Sequence, residues 1–138
     1  MLLRLLRRYR KNEKGTTAVE FALVSIVFLT IIFAIFEAAR IFWTLNTMQY
    51  AVEAGTRYVL TNTEASDDDI KTQVLNNVNG IETSATNPVI TISHTTLNGV
   101  DFIVIDSVYT FTTLLPFVPS GWNNMRLDSS SRLPIPSS

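Results

Sequence analysis

Cysteine is absent from the chain, which rules out a disulfide framework, a thiolate nucleophile, a cysteine-ligated metal and a lipid-modified cysteine, and leaves the compartment open. Histidine occurs once, as His94. A single imidazole among threonines on a predicted strand, with no Asp–Ser set or second ligand beside it, reads as structural. There is no glycine-rich phosphate loop, internal repeat or low-complexity tract. Asp101 and Asp106, five apart on a predicted strand, point to opposite faces and cannot act as a carboxylate pair. Cations are scarce beyond position 15: Arg40, Arg57, Lys71, Arg126 and Arg132 stand against eleven acids from Thr16 onward. A nucleic-acid partner needs a basic surface and is excluded on that balance. The inventory supports no enzyme, and neither a metal nor a cofactor is expected. At 138 residues the chain has room for one small domain and a membrane segment.

What the sequence does have is a long apolar run behind a basic one. Arg4, Arg7, Arg8, Arg10, Lys11 and Lys14 place six of the eleven basic residues in the first fifteen positions. From Phe21 to Phe36, "FALVSIVFLTIIFAIF" carries no charge, and extending the run back to Thr16 adds Glu20 alone. As helix this spans about 30 Å, one hydrocarbon core. A buried core helix would show a polar face, and Ser25 and Thr30 do not supply one. A secretory signal has a shorter apolar region, about 7–15 residues, ending at an A-x-A-like site, so a spanning helix at about residues 16–38 is the better fit. Six cations before the span and an acid-rich flank after it predict a cytoplasmic N-terminus and an extracytoplasmic C-terminal part.

Beyond the span, Ile41, Leu45, Met48, Val52, Gly55 and Val59 recur at spacings of four and three, one face of a helix. That stripe is either core packing or a seam for a partner helix. One helix is predicted from about Thr17 to Leu60, with Trp43 as an interfacial aromatic and Glu37 and Arg40 able to pair across one turn at the membrane interface. Ser66, followed by Asp67, Asp68 and Asp69 and then Ile70, Val74, Leu75 and Val78, predicts a capped second helix; the aspartates lack the spaced ligands and glycine of a calcium loop. Asn98-Gly99 predicts a two-residue hairpin that sets Ile92 opposite Ile105, Ser93 opposite Val104 and His94 opposite Ile103. After a Pro/Gly-rich turn, "PFVPSGW", the segment from Asn124 to Leu133 gives a weak third strand because of Ser129, Ser130 and Ser131. The last residues, "PIPSS", read as frayed. The expected fold is α+β: a long helix on a small antiparallel sheet, with residues 61–138 as an exterior domain.

Glu20 is placed at a cost. A carboxylate at the centre of a spanning helix costs about 2.5–3.5 kcal/mol, and less near the interface, where this one falls. An intact chain offers no compensation. A cut between Gly15 and Thr16 would put a new ammonium four residues before Glu20, one turn away on the same face, where it or a neighbour's could neutralise the acid.

These residues resemble a known pattern. "KGTTAVEFALV" has a glycine, then a glutamate five positions later and an aromatic at the sixth, opening an apolar helix. It is similar to the type IV prepilin processing site and, more closely, to the TadE-like family of the Flp/Tad pilus system. The likeness continues through "IFEAARIFWTLNTMQYAVEAGTRYVL" and covers about residues 15–58. The resemblance implies a minor pilin or pseudopilin whose leader, residues 1–15, is removed by a prepilin peptidase. Gly15 and Thr16 would flank the cut, Glu20 and Phe21 would serve subunit docking, and the partners would be other pilins or pseudopilins of the Tad system and inner-membrane lipid. Major Flp pilins are very short and lack a folded exterior part, so the accessory class fits better, and Thr16 departs from the aromatic at the first mature position. The alternative is an uncleaved single-pass anchor presenting a small binding domain.

Overall fold

The computed structural model describes residues 13–82, 87–115, 118–119, 121 and 123–135, with side chains from Gly15 onward. The basic run before residue 13, much of the Pro/Gly-rich turn (Pro116, Phe117, Ser120 and Trp122) and the last three residues of "PIPSS" lie outside this description. Two helices and three strands follow in chain order: α1 (Glu13–Thr61), α2 (Asp67–Asn76), β1 (Val89–Leu97), β2 (Val100–Thr112) and β3 (Asn124–Ile135). The chain divides into two compact units, Met1–Glu37 and Ala38–Ser138, so that the boundary falls within α1.

From Phe21 to Phe36, within the first unit, the helix carries apolar side chains on all sides. Phe21, Val24, Ile26, Val27, Phe28, Phe33 and Phe36 are all exposed, and no proline precedes Pro88 to interrupt the hydrogen-bond ladder. Thr30 donates its hydroxyl hydrogen to the Ile26 carbonyl at 2.7 Å, which satisfies the polar atom within the helix itself. A helix so built hides its backbone and shows hydrocarbon to every side, the condition for crossing a bilayer. The helix is long and apolar enough to cross a membrane.

In the second unit the same helix becomes one-sided. Met48, Ala51, Val52 and Val59 are buried, with Ile41 and Leu45 packed at the margin of the same core. The opposite side is solvated, where Gln49 donates to Glu53 at 3.2 Å and Arg57 pairs with Glu53 at 3.6 Å. The stripe is therefore core packing on the folded unit's own sheet. Gly55 belongs to it for a steric reason: a Cβ there would lie 2.5 Å from Val74 Cγ2 of α2 and 3.3 Å from Ile105 Cδ1 of β2, so only glycine lets the three elements meet this closely.

α2 starts as its sequence dictates. Ser66 accepts from the Asp69 backbone at 3.3 Å, and its own backbone N–H donates to Asp69 Oδ2 at 3.1 Å, a reciprocal capping box. Ile70 and Val74, one turn apart, enter the core. Leu75 stays exposed, and Val78, just past the helix end, is buried.

The sheet is antiparallel in the order β1-β2-β3. The hairpin turns at Asn98 and Gly99, both with positive φ (52° and 79°), and pairs Ile92 with Ile105, Ser93 with Val104 and His94 with Ile103, the register expected. β2 buries Ile103, Ile105, Ser107, Tyr109 and Phe111 on one face. The third strand is longer and more regular than its serines suggested. Leu127 and Ser129 are buried, Ser131 is half-buried, and the period of two persists through the serine run with small hydroxyls in place of hydrocarbon. Thr56 on α1 and Ser131 share a hydrogen bond at 3.2 Å, so part of the helix–sheet contact is polar and satisfied.

Candidate functional site

Gly15 and Thr16 lie in the opening turns of α1, both exposed, and a side chain at Gly15 would meet nothing within 4 Å. Glu20 follows Thr16 by four residues, one turn up the same helix face, and is exposed with Phe21 beside it. The local geometry is an uncrowded, accessible helix start with one carboxylate set in an apolar surface.

The residues expected at the membrane interface differ in their surroundings. Glu37 is buried. Arg40 holds its guanidinium 4.9 Å from the centre of the Phe111 ring at the end of β2, a cation–π contact. Trp43 is largely exposed, yet its indole Nε1 lies 3.3 Å from where a Cβ on Gly80 would stand. Gly80 has φ +75°, a conformation and a clearance that both favour glycine. One side of the indole thus packs on the segment after α2 while much of the ring stays accessible, as an amphipathic anchor does.

Around this end of the folded unit the segment after α2 is tied to β2. The Tyr109 hydroxyl donates to the Glu82 carbonyl at 2.9 Å. Burial pushes the Tyr109 phenol up from its ordinary value, the Glu82 carboxylate adds to that, and the Arg40 charge opposes it. Asn87 grips Thr110 twice, donating to its carbonyl at 3.0 Å and accepting from its N–H at 2.9 Å.

Sequence reasoning left several contacts unseen. His94, read as a lone structural histidine, has a partner: its Nε2 stands 3.2 Å from Asp67 Oδ1 at the start of α2, joining the helix to β1 on the exposed surface. Nothing in the spacing of residues 27 apart signals that pair. The Arg132 guanidinium lies 3.9 Å from the centre of the Phe102 ring on the outer sheet face, a neighbour that only the β2–β3 register reveals. Among the described residues no group of three or more His, Asp or Glu could hold a metal ion.

The model of the family described as TadE-like protein matches residues 15–57. That segment is TadE-like. No curated protein and no solved structure matches the chain. The TadE-like match opens on Gly15 and takes in Glu20, Phe21, Glu37, Arg40, Trp43 and Gly55, and it ends before the sheet begins. The matched segment contains most of the apolar helix that is long enough to cross a membrane.

Proposed function

We propose that the protein is a TadE-like pseudopilin or minor pilin, a membrane-inserted subunit that assists assembly or initiation of a bacterial Flp/Tad pilus. The observation carrying this reading is the TadE-like match that begins at Gly15, the residue singled out independently by the position of Glu20. The N-terminus lies in the cytoplasm and the folded unit outside, in keeping with the six cations before the span. A prepilin peptidase cuts between Gly15 and Thr16 at the cytoplasmic face. The freed ammonium of Thr16, or that of a neighbouring subunit, then neutralises the Glu20 carboxylate, and Phe21 with the exposed apolar ring of residues around it packs on neighbouring pilin helices in the membrane. The chain performs no reaction of its own; its work is packing and docking. The exterior unit supplies the surface by which an accessory subunit differs from a short major pilin.

Mass spectrometry of the membrane-extracted protein tests the cut. An N-terminus at Thr16 is expected in cells that carry the peptidase, and an intact Met1 chain there overturns the reading in favour of an uncleaved anchor. In a Glu20→Ala chain cleavage should persist while piliation falls, and unchanged piliation removes Glu20 from docking.

A further inference from the structure

Leu114, just beyond β2, is the most exposed large apolar side chain among the described residues after residue 38, at 73%. It is not isolated. Phe111, three residues earlier, lies against Arg40, and three extended residues reach at most about 10 Å, so Leu114 sits at the same end of the unit as Arg40. On α1 that end also carries Phe42 and Trp43, 65% and 62% exposed. The base of the β2–β3 connection is closed there by a hydrogen bond from the Thr113 N–H to the Asn123 carbonyl at 3.0 Å. One end of the folded unit therefore presents three large apolar side chains and a guanidinium.

Arg40 follows Phe36, the last residue of the uncharged run, by four positions, about 6 Å of helix, and Trp43 by seven, about 10 Å. A headgroup layer is about 5–8 Å deep on each side of the hydrocarbon, and helical side chains lean back toward the N-terminus, here toward the membrane. Arginine, tryptophan and phenylalanine at this depth have the amphipathic make-up of an interfacial belt.

We propose that Leu114, with Phe42, Trp43 and Arg40, forms a second membrane-contact site by which the folded unit rests on the headgroup layer of the bilayer that α1 crosses. The ligand is a phospholipid surface: the apolar side chains enter the acyl boundary, and Arg40 stays at the level of the phosphates. The inference rests on the membrane span and not on the pilus assignment, and it holds for either orientation of α1.

Because the chain has no cysteine, single labels can be placed cleanly. The full chain is reconstituted in phosphatidylethanolamine/phosphatidylglycerol vesicles with a nitroxide at Leu114→Cys or, as the control at the far hairpin, at Leu97→Cys. Electron paramagnetic resonance then compares collision with dissolved oxygen, which concentrates in lipid, and with a water-soluble nickel chelate. The oxygen-to-nickel ratio is expected to be several-fold higher at 114 than at 97. Equal ratios overturn the proposal. A label at 114 shielded from both reagents also overturns it, assigning the end to contact with a second copy. Circular dichroism of each labelled chain checks folding. As an independent readout, Trp43 in a Trp122→Phe chain should be quenched by lipids brominated near the headgroup, and an unquenched Trp43 counts against the site. None of these readouts depends on processing at Gly15, so their failure leaves the pilus reading standing, and the reverse holds too.

Discussion

In the first part of α1 Phe21, Ile26 and Phe33 are all more than half exposed, whereas in the second part Met48, Ala51 and Val52 are sealed to 1% or less. The backbone is helical in both. What differs is the solvent each surface is written for. From Phe21 to Phe36 hydrocarbon faces every direction, so no side of the helix prefers the protein to lipid. From Ala38 onward Met48, Ala51, Val52 and Val59 line one side, which fits a small sheet in water, while Gln49, Glu53 and Arg57 stay solvated. One helix thus has two cores, a bilayer for the first part and the sheet for the second. The two parts should respond to the same kind of substitution by very different amounts.

The largest such contrast lies at Ile105 and Ile26. Ile105 is wholly buried, and Ile105→Ala removes its packing at a cost of about 2–5 kcal/mol. Ile26 is 63% exposed, and Ile26→Ala should leave unfolding of the sheet unit unchanged while weakening membrane insertion by only about 0.5 kcal/mol. Thermal unfolding in detergent, read by near-ultraviolet circular dichroism, measures the first effect, and extraction from membranes the second. Equal losses of unfolding stability would show the two parts to be one cooperative core. A matched pair of glycines sharpens the comparison. Gly55→Leu drives a side chain into Val74 and Ile105 and should cost about 1–3 kcal/mol through overpacking. Gly15→Leu enters open space and should not move the unfolding transition at all, whatever it does to processing.

Legibility from sequence followed the range of the forces involved. The stripe from Ile41 to Val59, the Ser66 cap and the Asn98-Gly99 turn were readable because each is set by residues within a turn or two of one another, and the turn fixes the register of everything up to Val89 and Val108. β3 was harder because serine is the residue that makes its inner face fit. Ser129 and Ser131 keep the strand's alternation but erase its hydropathy signal, and the hydroxyl that Ser131 meets, that of Thr56 across the core, is 75 residues away from it. In the candidate site, the pattern from Gly15 to Phe21 was visible because it is contiguous. The contact of Arg40 with Phe111 was not, since it depends on which end of β2 the helix meets.

A smaller effect separates local from tertiary control within the folded unit. The hydrogen bonds from Ser66, first its side chain and then its backbone, hold the Asp69 carboxyl below the ordinary 3.8. A carboxylate depressed in the folded state contributes stability above its unfolded value, and that contribution is lost as pH falls through the folded one. Ser66→Ala should cost about 1 kcal/mol at neutral pH, a typical cap loss. In Asp69→Asn the difference from the parent should shrink as acid titrations pass below about pH 4, and a pH-independent difference would mean that the carboxylate's charge plays no part in the cap.

The smallest effect is expected at the one histidine. His94 and Asp67 close to 3.2 Å but remain more than half and half exposed, respectively, so solvent and salt screen them, and exposed pairs contribute about 0–1 kcal/mol. The contact joins α2 to β1 at the rim, away from Ile70 and Val74, which already bind α2 into the core. His94→Gln should therefore shift the unfolding midpoint less than Ser66→Ala does, and added salt should reduce the shift further. A larger, salt-insensitive loss would show that the rim contact, and not the buried face of α2, fixes that helix on the sheet. The separation would then run between local and long-range contacts inside the folded unit as much as between the two parts of α1.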